Sequence, residues 1–248
     1  MMRRKPCFRE ALWITLLVAL LFSFSTAYAA EKEYYWEFIH VDISVLLNSD
    51  LEIVETQKYV FTKGEFRFAY REIPLSRLDD ITAVEVWEEN LKYRLGQEKE
   101  NSYTVSKEEG NLRITWWYPL TENRSRTFQI KYTVKGGLRF YEGGDQLFWK
   151  AVFPDRTFPV MRSLVVVHLP SRFSPDQLLV ASYGVPAEHE IAADGRSVAF
   201  TAERILPGQE LEVRVQFPHG VVRGSAAEWQ VKEDRMREYN ERYRPLVT

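Results

Sequence analysis

Arg71 and Glu72 stand side by side in FRFAYREIPL, where an adjacent base and acid could transfer protons, clamp a ligand or tie down a strand end. The run alternates as a strand does, so Phe66, Phe68, Tyr70 and Glu72 are predicted on one face and Arg67, Ala69, Arg71 and Ile73 on the other. Arg71 and Glu72 then point apart and cannot pair with each other. An ionised Glu72 on a face of three rings needs a cation, expected to be Lys150 of LFWKAVF or an arginine. Pro74 removes a ladder donor and holds Ile73 extended, so the strand should end there. Tyr70, Arg71, Glu72, Trp149 and Lys150 are therefore the candidate binding residues, and the competing account is a strand end tied to its neighbour by ion pairs.

Other chemistry is thinly represented. Neither GxxxxGK[ST] nor GxGxxG occurs, so no phosphate cradle is visible. The four histidines, His40, His168, His189 and His219, are scattered without ligand spacing, and GxSxG and DxDxDG are missing. His189, between Glu188 and Glu190, reads as an exposed loop residue. Asp79 with Asp80 and Glu88 with Glu89 are adjacent acids of the kind usually solvated in loops, although glycosidase carboxylates leave no spacing signature. In Trp116, Trp117 and Tyr118, two rings must face one side of a strand and one the other, as core filling or as a stacking platform. No cofactor and no metal site is expected, and a non-catalytic role is favoured over an enzyme.

These residues need elements to hold them, and the first question is which part of the chain folds. Arg3, Arg4, Lys5 and Arg9 precede the apolar run from Ala11 to Phe22, and Ala27 and Ala29 flank Tyr28. That is the pattern of a secretory signal peptide over residues 1–29, with an apolar run shorter than the roughly 18 to 20 residues that span a bilayer. Its removal takes the formal charge from −2 to −5, a poor balance for nucleic-acid binding. Cys7, the one cysteine, leaves with it, so the exported chain has no thiol chemistry and no disulfide, and must rest on its core.

From Ile39 to Leu47 the odd positions are apolar and the even ones include His40, Asp42 and Ser44, a half-buried strand. Asn48, Ser49 and Asp50 then turn the chain into LEIVETQKYVF as a hairpin. The pattern recurs in FRFAYREI, ITAVEVWE, LRITWWY, TFQIKYTV, LFWKAVF, LVVVHLP, LLVASYG, SVAFTAE and ELEVRVQFP. The expected fold is all-β, an antiparallel β-sandwich over residues 30–220. One elaborated domain is favoured by length; a division into two subdomains near Gly137 stays open. Residues 221–248 predict a charged helical tail, with a capping box at Ser225 and Glu228 and a stripe at Trp229, Met236, Tyr239 and Tyr243. Glu228 with Lys232, Glu233 with Arg237, and Glu238 with Arg242 supply i to i+4 pairs.

The series LEIVETQKYVF, FRFAYREIPL, TFQIKYTVKGGLRF, QLFWKAVF, VVVHLP and QFPHG resembles the extracytoplasmic domain of the YciQ-like predicted membrane proteins, a bacterial family of unknown function, over about residues 34 to 220. Its sharpest pieces are Tyr70 to Pro74 and Leu147, Phe148 and Trp149. The resemblance implies a β-rich domain outside the membrane, followed by transmembrane helices, and it supplies no catalytic residues. This chain ends at RYRPLVT, where such proteins would be expected to enter the bilayer. The expectation is an exported, membrane-associated envelope domain that binds or scaffolds, with an envelope protein or polymer as partner. The alternative is a carbohydrate-binding or glycoside-cleaving module using Trp116, Trp117 or Trp149 with Glu72.

Overall fold

Alternation from Ile39 to Val45 is realised as the inward face of the first strand, with Ile39, Val41, Ile43 and Val45 buried. A computed structural model of the chain describes residues 32–243, so the expected leader at residues 1–29 lies outside the described residues. In chain order the strands begin β1 (Glu33–Val45), β2 (Leu51–Lys63), β3 (Phe66–Pro74), β4 (Asp80–Glu88) and β5 (Leu91–Lys92). Then come β6 (Arg94–Leu95), β7 (Ser102–Glu108), β8 (Asn111–Thr121), β9 (Ser125–Lys135) and β10 (Asp145–Val152). The last are β11 (Val160–His168), β12 (Leu179–Gly184), β13 (Glu188–Ile191), β14 (Ser197–Ile205) and β15 (Leu211–Phe217), followed by helix α1 (Glu228–Tyr243).

One eight-stranded sheet, ordered β13-β14-β11-β1-β2-β9-β4-β5, is the floor of the molecule. It draws on strands from both sides of Gly137, and all its pairs are antiparallel except β1 with β11. Two smaller sheets, β3-β8-β7-β6 and β10-β15-β12, pack on one face of it. Ring contacts mark each packing: Tyr118 of β8 lies 5.1 Å from Phe128 of β9, and Trp149 of β10 lies 6.3 Å from Tyr132 of β9. The chain is thus mostly β, with sheets packed against each other, and one α-helix among the described residues.

The inward face of β2 carries Leu51, Ile53, Glu55, Gln57, Tyr59 and Phe61, all buried. Two polar residues therefore lie in the middle of an apolar row, beneath the place where the smaller sheets meet. Irregularities break parity elsewhere. A register shift between Trp36 and Phe38 turns Trp36 inward along with Ile39. Another in β8, between the partners of Phe66 and Phe68, buries Phe66 while Phe68 and Tyr70 face solvent.

Helix α1 begins at Glu228, so this residue occupies the first helical position and not the third position a capping box at Ser225 requires. Its first turns lie over the sheets. Trp229 Nε1 donates to Gly136 O at 2.8 Å, and the buried Gln230 clasps the Phe140 backbone by both its amide groups. Glu233 pairs with Arg77 and Arg139 rather than with Arg237, which binds Asp234 instead. Further along, Met236 and Tyr239 of the expected stripe are 57% and 59% exposed.

Candidate functional site

β3 lies at one edge of its sheet and β10 at one edge of the other, and a cleft of about 450 Å3 runs between them. Five consecutive β3 residues, Tyr70 to Pro74, line it. Successive side chains point to opposite faces of a strand, so such a run can line a cleft only along the strand's edge. Trp149 and Lys150 of β10 form the facing wall with Phe153, Pro154 and Asp155, and Glu212 of β15 reaches in beside them. All five candidate residues named from the sequence, Tyr70, Arg71, Glu72, Trp149 and Lys150, therefore meet at one place.

Their roles differ from the expectation on one point. Glu72 does not stand on a face of buried rings; its face of β3 is open to solvent, and the buried charge of the pair is Arg71. A register irregularity between Phe66 and Phe68 takes Phe66 out of phase with Phe68, Tyr70 and Glu72, so the aromatic residues of β3 do not share one buried face. Glu72 finds an arginine, Arg113 Nη1 at 3.2 Å, and that guanidinium also lies 4.2 Å from the centre of the Tyr70 ring. Lys150, the other expected partner, pairs with Glu210.

Arg71 is 3% exposed and points into the polar gap in β2. Its Nε donates to both oxygens of the fully buried Glu55, at 3.1 and 3.0 Å, and its Nη1 donates to the backbone oxygen of Glu72. Tyr132 Oη donates to Glu55 at 2.6 Å, and Gln57 Nε2 at 2.9 Å. Gln57 in turn accepts from Tyr59 Oη and Trp36 Nε1. The guanidinium also covers the Phe153 ring at 4.4 Å. Burial pulls the Arg71 pKa down, but the charge of Glu55, the polarity of Tyr132 and the hydrogen bonds outweigh it and leave it above the ordinary arginine value. Burial drives the Tyr132 hydroxyl far up, so it remains a neutral donor.

Arg71 is thus a fixed cation whose far side faces the cleft. Glu212 of the cleft, and Arg156 behind its Phe153 wall, escaped the sequence reading. Glu212 lies opposite Lys150 in the β10–β15 register, and burial raises its carboxyl pKa above the ordinary glutamate value, with Glu210 adding to the effect and Lys150 opposing it. Arg156 is buried and holds the cleft's far wall by donating to four backbone oxygens, those of Phe153, Gln209, Ile205 and Leu206. Glu55 was discoverable in principle: period two along LEIVETQKYVF puts it and Gln57 in the core row, where an acid demands a partner.

The aromatic run resolves into Trp116 and Tyr118 in the core, at 0% and 1% exposed, and Trp117 half-buried on the other side. His189 lies on the edge strand β13 and not in a loop, exposed as expected. Among the described residues no group of His, Cys, Asp and Glu could hold a metal ion, and no helix is long and apolar enough to cross a membrane.

Comparisons with solved structures show likeness in fold. A candidate nutrient-binding protein from Legionella pneumophila superposes with a TM-score of 0.52 at 7% identity, over 73% of this chain and 66% of that one. A candidate protease from Parabacteroides distasonis gives 0.47 at 11% identity, and this chain spans 41% of its length. Leukotriene A4 hydrolase from Saccharomyces cerevisiae gives 0.48 at 13% identity, with 31% of its length spanned. No curated protein matches the sequence. Residues 37–217 match the family described as the predicted membrane protein (DUF2207) N-terminal domain, which the YciQ-like resemblance fits, and the match takes in β3, β10 and every strand that frames the cleft. The chain belongs to this family of predicted membrane protein N-terminal domains.

Proposed function

We propose that the domain is a non-catalytic docking module of an exported, membrane-associated envelope protein, and that its cleft receives an extended segment of a protein partner. The observation that carries this reading is the pair of sheet edges, β3 and β10, on either side of one cleft. A strand edge offers main-chain donors and acceptors to an added strand, and side-chain pockets beside it supply selectivity. Fixed groups lie along both walls: Arg71, held by Glu55, and Lys150, held by Glu210. The family is one of predicted membrane proteins, which agrees with a partner at the envelope.

The carbohydrate reading loses most of its support from burial. Trp116 is inside the core and Trp149 is 8% exposed, so neither offers a broad stacking face. What it retains is the half-buried Trp117, and in the cleft Trp149 beside the carboxylates Glu72, Asp155 and Glu212. Incubating the purified full-length protein with envelope polysaccharide and peptidoglycan separates the two readings. No turnover is expected; release of fragments that Glu72→Gln or Glu212→Gln abolishes would establish the enzyme and overturn the docking module.

A further inference from the structure

Where α1 joins the sheets, four arginines converge on a second, shallower cleft of about 500 Å3. Arg77 follows β3, Arg139 follows β9, Arg214 lies on β15 and Arg237 on α1. Phe148, Tyr141, Gln146 and Glu233 complete the lining, with the Arg139 guanidinium 5.4 Å from the centre of the Phe148 ring.

The acids that face these cations are few. Glu233 forms ion pairs with Arg77 Nε at 3.2 Å and with Arg139 Nη2 at 3.5 Å, and Asp234 accepts from Arg237 Nη2 at 2.8 Å. Glu212 is near enough to interact with Arg77 and Arg139, which lower its carboxyl pKa while burial, the larger effect, raises it. Arg214 spends Nη2 on Gln216 at 2.9 Å, while its Nε is buried among the described residues without a hydrogen-bond partner. A buried donor left unused is costly, and in a native fold it calls for an explanation.

We infer that this cleft binds a phosphoryl group. Guanidinium forks match the oxygens of phosphate two at a time, and several forks converging on one point suit an anion with three or four acceptor oxygens better than a carboxylate with two. Glu233 is an internal carboxylate on two of those forks, so a bound phosphoryl group competes with it for Arg77 and Arg139. The same chemistry is offered by an anionic lipid headgroup and by soluble phosphate. The site shares Arg77 with the docking cleft, but it does not depend on the docking reading above.

The test is calorimetric titration of the full-length protein with inorganic phosphate at low ionic strength, beside flotation with phosphatidylglycerol and phosphatidylcholine vesicles. Arg77 and Arg237 have half-exposed side chains, so the double variant Arg77→Gln, Arg237→Gln should fold normally, which circular dichroism checks. Phosphate should bind the parent protein, bind the double variant about tenfold more weakly, and bind Glu233→Gln several-fold more tightly. Flotation with phosphatidylglycerol alone, lost in the double variant, assigns the lipid headgroup; phosphate binding without flotation assigns soluble phosphate. Failure of both phosphate and vesicles to bind, or binding unchanged in the double variant, overturns the site.

Discussion

Arg71 Nε stands 3.0 Å from Glu55 Oε2, with Glu55 fully buried and Arg71 3% exposed, and this pair joins the edge strand β3 to the middle of the large sheet. Two buried charges stabilise a fold only when geometry and accessory hydrogen bonds offset their desolvation. Here Tyr132 and Gln57 supply the accessory bonds. The adjacent acid and base that the sequence presents at Arg71 and Glu72 are therefore not a catalytic couple. They are two separate ion pairs on opposite sides of one strand.

Removing one member of the buried pair strands the other. Arg71→Met should destabilise the domain by about 3–5 kcal/mol in urea unfolding, and Glu55→Gln by a similar amount. The double variant Arg71→Met, Glu55→Gln should cost much less than the two together, because no charge is left alone. Additivity of the two single variants would show that the pair does not act as a unit.

The far wall of the cleft depends on Arg156. Arg156→Met removes a donor from four carbonyl oxygens, of which Leu206 O keeps the Gln209 N–H, and should destabilise by about 3 kcal/mol. Faster proteolysis should appear first between Phe153 and Gln209, where those oxygens lie. Cleavage distributed evenly over the domain would contradict a local role.

Glu212 gives a pH dependence with a definite sign. Burial raises its pKa in the folded protein, so the folded state holds its proton more tightly than the unfolded chain does. The associated stability is fully present below the unfolded value of about 4.3 and is lost as pH rises through the folded value. Glu212→Gln, which stays neutral, should be more stable than the parent at pH 7, and the advantage should vanish below about pH 4. Urea midpoints across that range check it; an advantage independent of pH would assign the effect to packing.

Gln230 fastens α1 through the Phe140 N–H and C=O. Gln230→Ala leaves both backbone groups unpaired and should cost about 1–3 kcal/mol locally. Amide exchange should then quicken along α1 and around Phe140 while β1 and β2 stay protected. Unchanged exchange in α1 would show that Trp229 and Glu233 suffice to hold it.

The strands were legible because one face of each is buried and one is wet, which writes period two into β1, β2, β9, β14 and β15. β7, SYTVSKE, escaped because its outer half is polar on both faces, and β13 because EHEI is a short edge whose one apolar residue, Ile191, shows no alternation. At the site, parity separated Arg71 from Glu72 correctly, and the need of a charge for a partner supplied Glu72 with an arginine. Which side was buried was illegible, because Phe66, Phe68 and Tyr70 read as one inward aromatic face and the irregularity that sets Phe66 apart from the others leaves no mark in β3 itself. Glu212 and Arg156 carry no local signal either: their roles arise from strands and loops that meet only after folding.

The docking claim is tested most directly by photo-crosslinking within the native envelope, with a photoreactive phenylalanine analogue placed at Tyr70 in one full-length protein and at Lys150 in another. Both positions should attach to a single partner, at sites within about five residues of each other in its sequence, as a strand lying between β3 and β10 requires. Asn111→Trp, which fills the cleft, should abolish both adducts, and the same analogue at Leu95 on the opposite edge of the β3 sheet should give none. Adducts at unrelated sites, adducts that survive the filled cleft, or no adduct at either position would contradict it.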